Sequence, residues 1–120
     1  MEARVDEEAI WSLERALWTE GASCFRATLA PGCVMAFAEP VGLLQGRDAI
    51  IATLEGAPRW RAVTMTDTLT ANVGDTTIVL AYRACGMRPG SPDYRALCTS
   101  TYIRGDGGLL LLQHQQTPIL

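Results

Sequence analysis

From Trp60 to Met87 the chain reads WRAVTMTDTLTANVGDTTIVLAYRACGM. Val63, Met65, Leu69 and Val73 fall on one parity of this stretch, and Trp60, Thr64, Thr66, Thr68 and Thr70 on the other. Alternation of this kind sends successive side chains to opposite faces of a pleated strand, where β-branched Thr and Val fit well. Gly74-Asp75 then has the composition of a two-residue hairpin turn. Thr76–Met87 is apolar on both parities at Ile78, Val79, Leu80 and Ala81, which predicts a strand buried on both faces. Downstream, Arg88–Asp93 is turn-rich, Tyr94–Arg104 reads as a third long strand, Gly105–Gly108 as the next turn and Leu109–Thr117 as the last strand. The second half of the chain is therefore a β-meander.

Upstream of Trp60 the period changes. Ile10, Leu13 and Leu17 recur at helical spacing, with Trp11 and Trp18 widening the apolar stripe. Asp6 is placed to cap this helix, Glu7 and Glu8 suit its positive end, and Gly21 can end it. A second helix is expected over Ala22–Leu29, stopped by Pro31-Gly32, and Cys33–Phe37 reads as a strand. A third short helix follows Gly46 through Asp48, Ala49, Ile50, Ile51 and Leu54, and Gly56 and Pro58 stop it. Helices first and a meander after predict an α+β fold: N-terminal helices packed on one curved antiparallel sheet. The 120 residues suit a single domain spanning 1–120.

Composition excludes several function classes. The formal net charge is −3, which disfavours a nucleic-acid partner, since that needs a basic patch to displace counterions. The longest apolar runs fall far short of the ~20 residues of a membrane span. The acidic beginning Met1–Glu8 is unlike a secretory leader, so a soluble, cytoplasmic chain is expected. All ten basic residues are Arg; without Lys there is no Schiff-base or P-loop chemistry. Cys24, Cys33, Cys85 and Cys98 lack Cys-x-x-Cys spacing and His114 is the sole histidine, so reduced thiols and no metal site are expected.

Gly46-Arg47-Asp48-Ala49-Ile50 at the third helix, Tyr102-Ile103-Arg104-Gly105-Asp106-Gly107-Gly108 at the last hairpin and the ending Gln113-His114-Gln115-Gln116-Thr117-Pro118 carry a resemblance. Together with the element order, they resemble the nuclear transport factor 2-like superfamily (SnoaL-like, cystatin-like α+β) over nearly the whole chain. Where that superfamily usually carries a Trp after the last hairpin, Leu109 stands here. The resemblance implies a cone-shaped pocket between helices and sheet. Its members include ketosteroid isomerases, polyketide cyclases, dehydratases, transport factors and assembly domains, so function must be argued from the site.

Three residues are candidates for acid–base work. Glu39-Pro40-Val41-Gly42 resembles the segment that holds the general base of ketosteroid isomerases, and a desolvated carboxylate there would gain basicity; the other reading is a solvated turn carboxylate. The same resemblance sets Leu13 at the isomerase's oxyanion tyrosine and Ser100 at its protonated aspartate, so that site is not reproduced. Asp67 shares the parity of Val63, Met65 and Leu69 and either enters the pocket as a second acid or is turned outward by a bulge. His114 shares a strand face with Gln116. The resemblance implies that both face the cavity; a histidine bonded within the sheet or at a subunit contact is the alternative. Trp18, Met35, Phe37, Trp60, Tyr82 and Tyr102 are candidates to line an apolar cavity, with the two tyrosine hydroxyls able to orient a ligand. Arg47 and Arg83 read as surface charges able to meet an acidic ligand group.

The expected function is a small-molecule-binding pocket protein with a compact apolar or aromatic ligand and proton transfer at Glu39. The alternatives are a non-catalytic dimerisation or partner-binding module, and an isomerase- or cyclase-like enzyme. Any catalysis would be that of an isomerase, cyclase or dehydratase without a cofactor. The uncharged threonine face of the Trp60–Thr70 strand suits a subunit contact, and the resemblance implies a homodimer through it.

Overall fold

A computed structural model describes residues 7–120; Asp6, the expected helix cap, lies outside the described residues. Helix α1 spans Glu7–Thr19, α2 Ala22–Thr28 and α3 Arg47–Ala52. The strands are β1 Leu29–Ala36, β2 Leu43–Gln45, β3 Ala62–Val73, β4 Thr77–Met87, β5 Tyr94–Gly105 and β6 Gly108–Pro118. They form one six-stranded curved sheet in the order β2-β1-β6-β5-β4-β3, and the three helices pack on it. Among the described residues no helix is long and apolar enough to cross a membrane.

The sheet is mixed rather than antiparallel throughout. The meander β3–β6 and the β1–β2 pair are antiparallel, but β1 runs parallel to β6, with Val34 opposite Gln113 and Met35 opposite His114. The direction of a pairing between the first and last long strands is set by the path of the intervening chain, which periodicity does not report. Strand β1 also begins four residues earlier than expected, at Leu29, and runs through Pro31-Gly32. Its register with β6 is irregular between Leu29 and Val34. That irregularity accommodates a proline that has no N–H for the ladder.

A bulge decides which face of β3 is wet. Thr66 pairs with Arg83 and Leu69 with Ala81, so Asp67 and Thr68 together stand opposite Tyr82. Asp67 takes a left-handed conformation (φ 52°). The extra residue inverts the parity that follows. Val63 is buried, as its parity predicts, but Leu69 and Val73 are exposed at 69 % and 72 % on the outer face. Strand β4 is correspondingly buried on one face only. Ile78, Leu80, Tyr82 and Ala84 point into the core, whereas Val79 and Arg83 are exposed.

The core lies between the helices and the inner face. One part joins Ile10, Leu17, Phe25, Leu29, Met35, Ile50, Ile78, Leu80 and Leu111; the other joins Trp18, Val63, Tyr82, Ala84, Ala96 and Cys98, with Trp60 and Tyr94 at its edge. Trp60 stacks on Tyr94 at 5.5 Å between ring centroids. Gly86 makes room for this. A Cβ at that position would lie 3.0 Å from Trp60 Cδ2 and 3.1 Å from Trp18 Cζ3, so only hydrogen lets both indoles rest on β4.

Candidate functional site

The centre of the molecule holds a carboxylate. Glu14 shares the buried face of α1 with Ile10, Leu17 and Trp18, and is fully buried. An ionised carboxylate in such surroundings persists only when hydrogen-bonded on its lone pairs. Here the facing strands supply the donors. The Tyr82 hydroxyl on β4 donates to Glu14 Oε2 at 2.5 Å, Ser100 Oγ on β5 donates to the same oxygen at 2.6 Å, and the Tyr102 hydroxyl donates to Oε1 at 2.8 Å. Trp18 Nε1 in turn donates to Tyr82 Oη at 3.1 Å.

His114 joins this cluster from β6. Ser100 and His114 are direct cross-strand partners, and Ser100 Oγ lies 2.6 Å from His114 Nδ1. His114 Nδ1 is also 3.4 Å from Glu14 Oε2. Proton accounting fixes the tautomer. The single Ser100 hydrogen is given to Glu14, so Nδ1 must be the donor in the Ser100–His114 bond. In the neutral ring Nε2 is then an acceptor, and the Gln116 amide nitrogen, 3.0 Å away, donates to it. A second proton on Nε2 would require that amide to turn and present its oxygen.

The electrostatics follow. Burial on its own would raise the Glu14 carboxyl, but the hydrogen bond and electrostatic interaction with His114 and the hydroxyls of Ser100 and Tyr82 outweigh it and hold the group below its ordinary value. Burial first, and the Glu14 charge second, push the Tyr82 and Tyr102 phenols up, so both remain donors. Burial likewise pushes the Cys98 thiol up to about 12.

From His114 the network opens into a cavity of about 210 Å³ between the helices and the β2-β1-β6 side of the sheet. Leu17, Trp18, Phe25, Met35, Phe37, Leu44, Ile50, Leu54 and Trp60 line it with apolar surface. Its polar lining is Thr53, Arg59, His114 and Gln116. An apolar hollow with a few convergent polar groups is the usual form of a small-molecule site. Among the described residues no group of three or more His, Cys, Asp or Glu side chains is arranged to hold a metal ion.

The sequence candidates fall into three sets. Trp18, Met35, Phe37, Trp60, His114 and Gln116 reach the cavity. Tyr82, Ser100 and Tyr102 do not line it; they stand behind it as donors to Glu14. Glu39 and Asp67 lie elsewhere. Glu39 is exposed in the turn after β1, its carboxylate folded over Gly42. The turn leaves the sheet at its edge, so the carboxylate keeps its water and does not line the cavity. Asp67, turned outward by the bulge, pairs with Arg83 at 3.1 Å on the opposite face of the sheet. The two carboxylates are not brought together in the cavity.

Sequence reasoning passed over Glu14 and Arg59. Glu14 had a signal: it falls four residues after Ile10 and three before Leu17, so it interrupts the stripe of α1 with a charge. Arg59, in the segment between α3 and β3, had none.

No family model and no curated protein matches the sequence. Solved structures do match its fold. A candidate ketosteroid isomerase from Parabacteroides distasonis superposes with a TM-score of 0.77 at 17 % identity, over 92 % of this chain and 85 % of that one. A protein of unknown function with a cystatin-like fold from Nostoc punctiforme gives 0.78 at 14 % identity, over 99 % and 96 %. The CaMKII hub of S. rosetta gives 0.73 at 14 % identity, over 93 % and 92 %. The chain therefore has the nuclear transport factor 2-like, cystatin-like α+β fold. At these identities the likeness concerns the fold alone.

Proposed function

We propose that this protein binds a compact, largely apolar or aromatic small molecule in the cavity between helices and sheet, with His114 as the group that exchanges a proton with it. The observation that carries this reading is the position of His114. One ring nitrogen is held by Ser100 and Glu14 in the core, and the ring borders the cavity beside Gln116. Nδ1 is held in the core and Nε2 faces Gln116 at the cavity, so the ring can accept a proton from a ligand at Nε2 with the Glu14 carboxylate as its countercharge. Proton transfer belongs in this reading to His114 rather than to Glu39, whose carboxylate is exposed outside the cavity. The fold likeness to a candidate ketosteroid isomerase is compatible with such chemistry.

The test is thermal unfolding of wild type, His114→Gln and Gln116→Leu against steroids, polyketide-like phenolics and short aromatic acids. A ligand at 100 times its Kd stabilises by about 2.7 kcal/mol. A compound that raises the wild-type midpoint, with the rise reduced in both variants, supports the site. A response that both variants leave unchanged places binding elsewhere.

A second reading concerns assembly. Leu69, Val73, Val79 and Leu97 are exposed together on the outer sheet face, beside the uncharged Thr64, Thr99 and Gln115. We propose that a second copy of the chain covers this face; the hub among the structures of like fold is consistent with association. Light scattering should give twice the 13.0 kDa chain mass at micromolar concentration.

A further inference from the structure

Among the described residues the cavity carries one fixed charge, and it is positive. Of these lining side chains only Arg59 is a permanent ion, and no carboxylate is among them. Arg59 is half-buried and held in place. Its Nε donates to Glu20 O at 2.8 Å, its Nη2 donates to Leu17 O, and its guanidinium lies over the Phe25 ring, 5.4 Å from the centroid. These contacts tie it to the last turn of α1, where carbonyls lack helical partners. A guanidinium has five N–H donors in a fixed fork, so most of its donors remain unspent. Arg88 adds a second positive charge nearby, its guanidinium 4.3 Å from the centroid of the cavity-lining Trp60 ring. Among the described residues neither Arg59 nor Arg88 is paired with a carboxylate.

We infer that the ligand is a compact aromatic monocarboxylate, its carboxylate received by the free N–H groups of Arg59 and its ring held among Trp18, Phe25, Phe37 and Trp60. This inference rests on the cavity being a small-molecule site. An unpaired guanidinium at an apolar hollow selects for the planar anion that matches its fork, because a neutral ligand would bury the cation without a partner. The far end of the ligand then lies toward His114 and Gln116.

The experiment is isothermal titration of wild type, Arg59→Met and Arg59→Lys with phenylacetate and with phenylacetamide, a pair alike in size and differing in charge. A charge-assisted hydrogen bond is worth roughly ten- to hundredfold in affinity. Wild type should prefer the acid by that factor. Arg59→Met, whose stem still covers Phe25, should lose the preference while binding the amide as wild type does, which also shows that its cavity is formed. Arg59→Lys should keep part of the preference. Equal affinity of wild type for acid and amide overturns the inference and leaves the cavity reading standing. A preference that survives in Arg59→Met removes Arg59 from the assignment. Failure of wild type to bind either compound at millimolar concentration overturns the ligand class and counts against the cavity as well.

Discussion

Ser100 Oγ and His114 Nδ1 lie 2.6 Å apart, as cross-strand partners of β5 and β6 with both side chains on the inner face of the sheet. With its one hydrogen committed to Glu14, the serine can only accept from the histidine. The hydroxyl therefore acts as a relay between a core carboxylate and an imidazole that borders the cavity. Ser100→Ala should destabilise by about 1–3 kcal/mol, the range for leaving buried polar groups short of a partner. It should also free the Nδ1 proton of His114 from its fixed position. Chemical denaturation measures the first effect, and the imidazole nitrogen NMR shifts read the tautomer. An unchanged tautomer population would show that Ser100 does not set it.

Glu14 ties stability to pH. Its folded carboxyl is held below the ordinary value of 4.5, so the unfolded chain binds the proton more readily. The sign follows from linkage: the contribution is complete above the unfolded value and is lost as pH falls through the lower folded one. Glu14→Gln should cost about 1–3 kcal/mol at neutral pH and should flatten the loss of stability below pH 4.5. Urea unfolding of both proteins at neutral and acid pH checks this. Parallel acid limbs would mean that other carboxylates control acid unfolding.

Gly86 is the place where the two indoles meet the sheet. Gly86→Ala would put a methyl 3.0 Å from Trp60 Cδ2 and 3.1 Å from Trp18 Cζ3. Overpacking of this size costs about 1–3 kcal/mol. Because Trp60 also stacks on Tyr94 and lines the cavity, the change should reach tryptophan emission and ligand affinity together. A stable variant with native emission would mean that Trp60 swings aside freely.

Element type was legible where a single segment carried its own signal. The alternation after Trp60, a hairpin at Gly74-Asp75 and the helical spacing of Ile10 and Leu17 are local signals, although the turn takes three residues, 74–76, between the paired Val73 and Thr77 rather than the two expected. Pairing direction is not local, so the parallel β1–β6 contact was invisible. The outward turn of Asp67 was one of two readings, and the register shift there together with the exposed Arg83 pairing shows it. The same bulge sends Leu69 and Val73 to the wet face against their parity. The candidate site was half legible. His114, Gln116, Trp18, Phe37 and Trp60 lie at the cavity, but Tyr82 and Tyr102 do not, and Glu14 acquires its meaning from hydroxyls on β4 and β5, far along the chain.

The outer face makes a separate prediction. Leu69 is 69 % exposed, so Leu69→Asp should change the chain's own stability by no more than about 0.5 kcal/mol. A charge in a shared apolar interface, however, loses its water without gaining a partner. The variant should therefore scatter as the 13.0 kDa monomer under conditions where wild type has twice that mass. If both proteins are monomers, no second copy covers this face. If both are dimers, the contact lies elsewhere.

The cavity can be closed by a side chain. Leu44, half-buried on β2, lines the cavity opposite the helices. A tryptophan there would project a larger apolar ring into the 210 Å³ hollow. Filling a void gives its lining new dispersion contacts, so Leu44→Trp should keep or raise the melting temperature, with a gain of up to about 2 kcal/mol. It should also abolish binding of any compound that the wild-type cavity holds, phenylacetate included. This separates the cavity from the sheet surfaces, since the substitution leaves the outer face and the Glu14 cluster untouched. Binding that persists in a stable Leu44→Trp protein would show that the ligand sits outside this hollow, and the role given to His114 would fall with it.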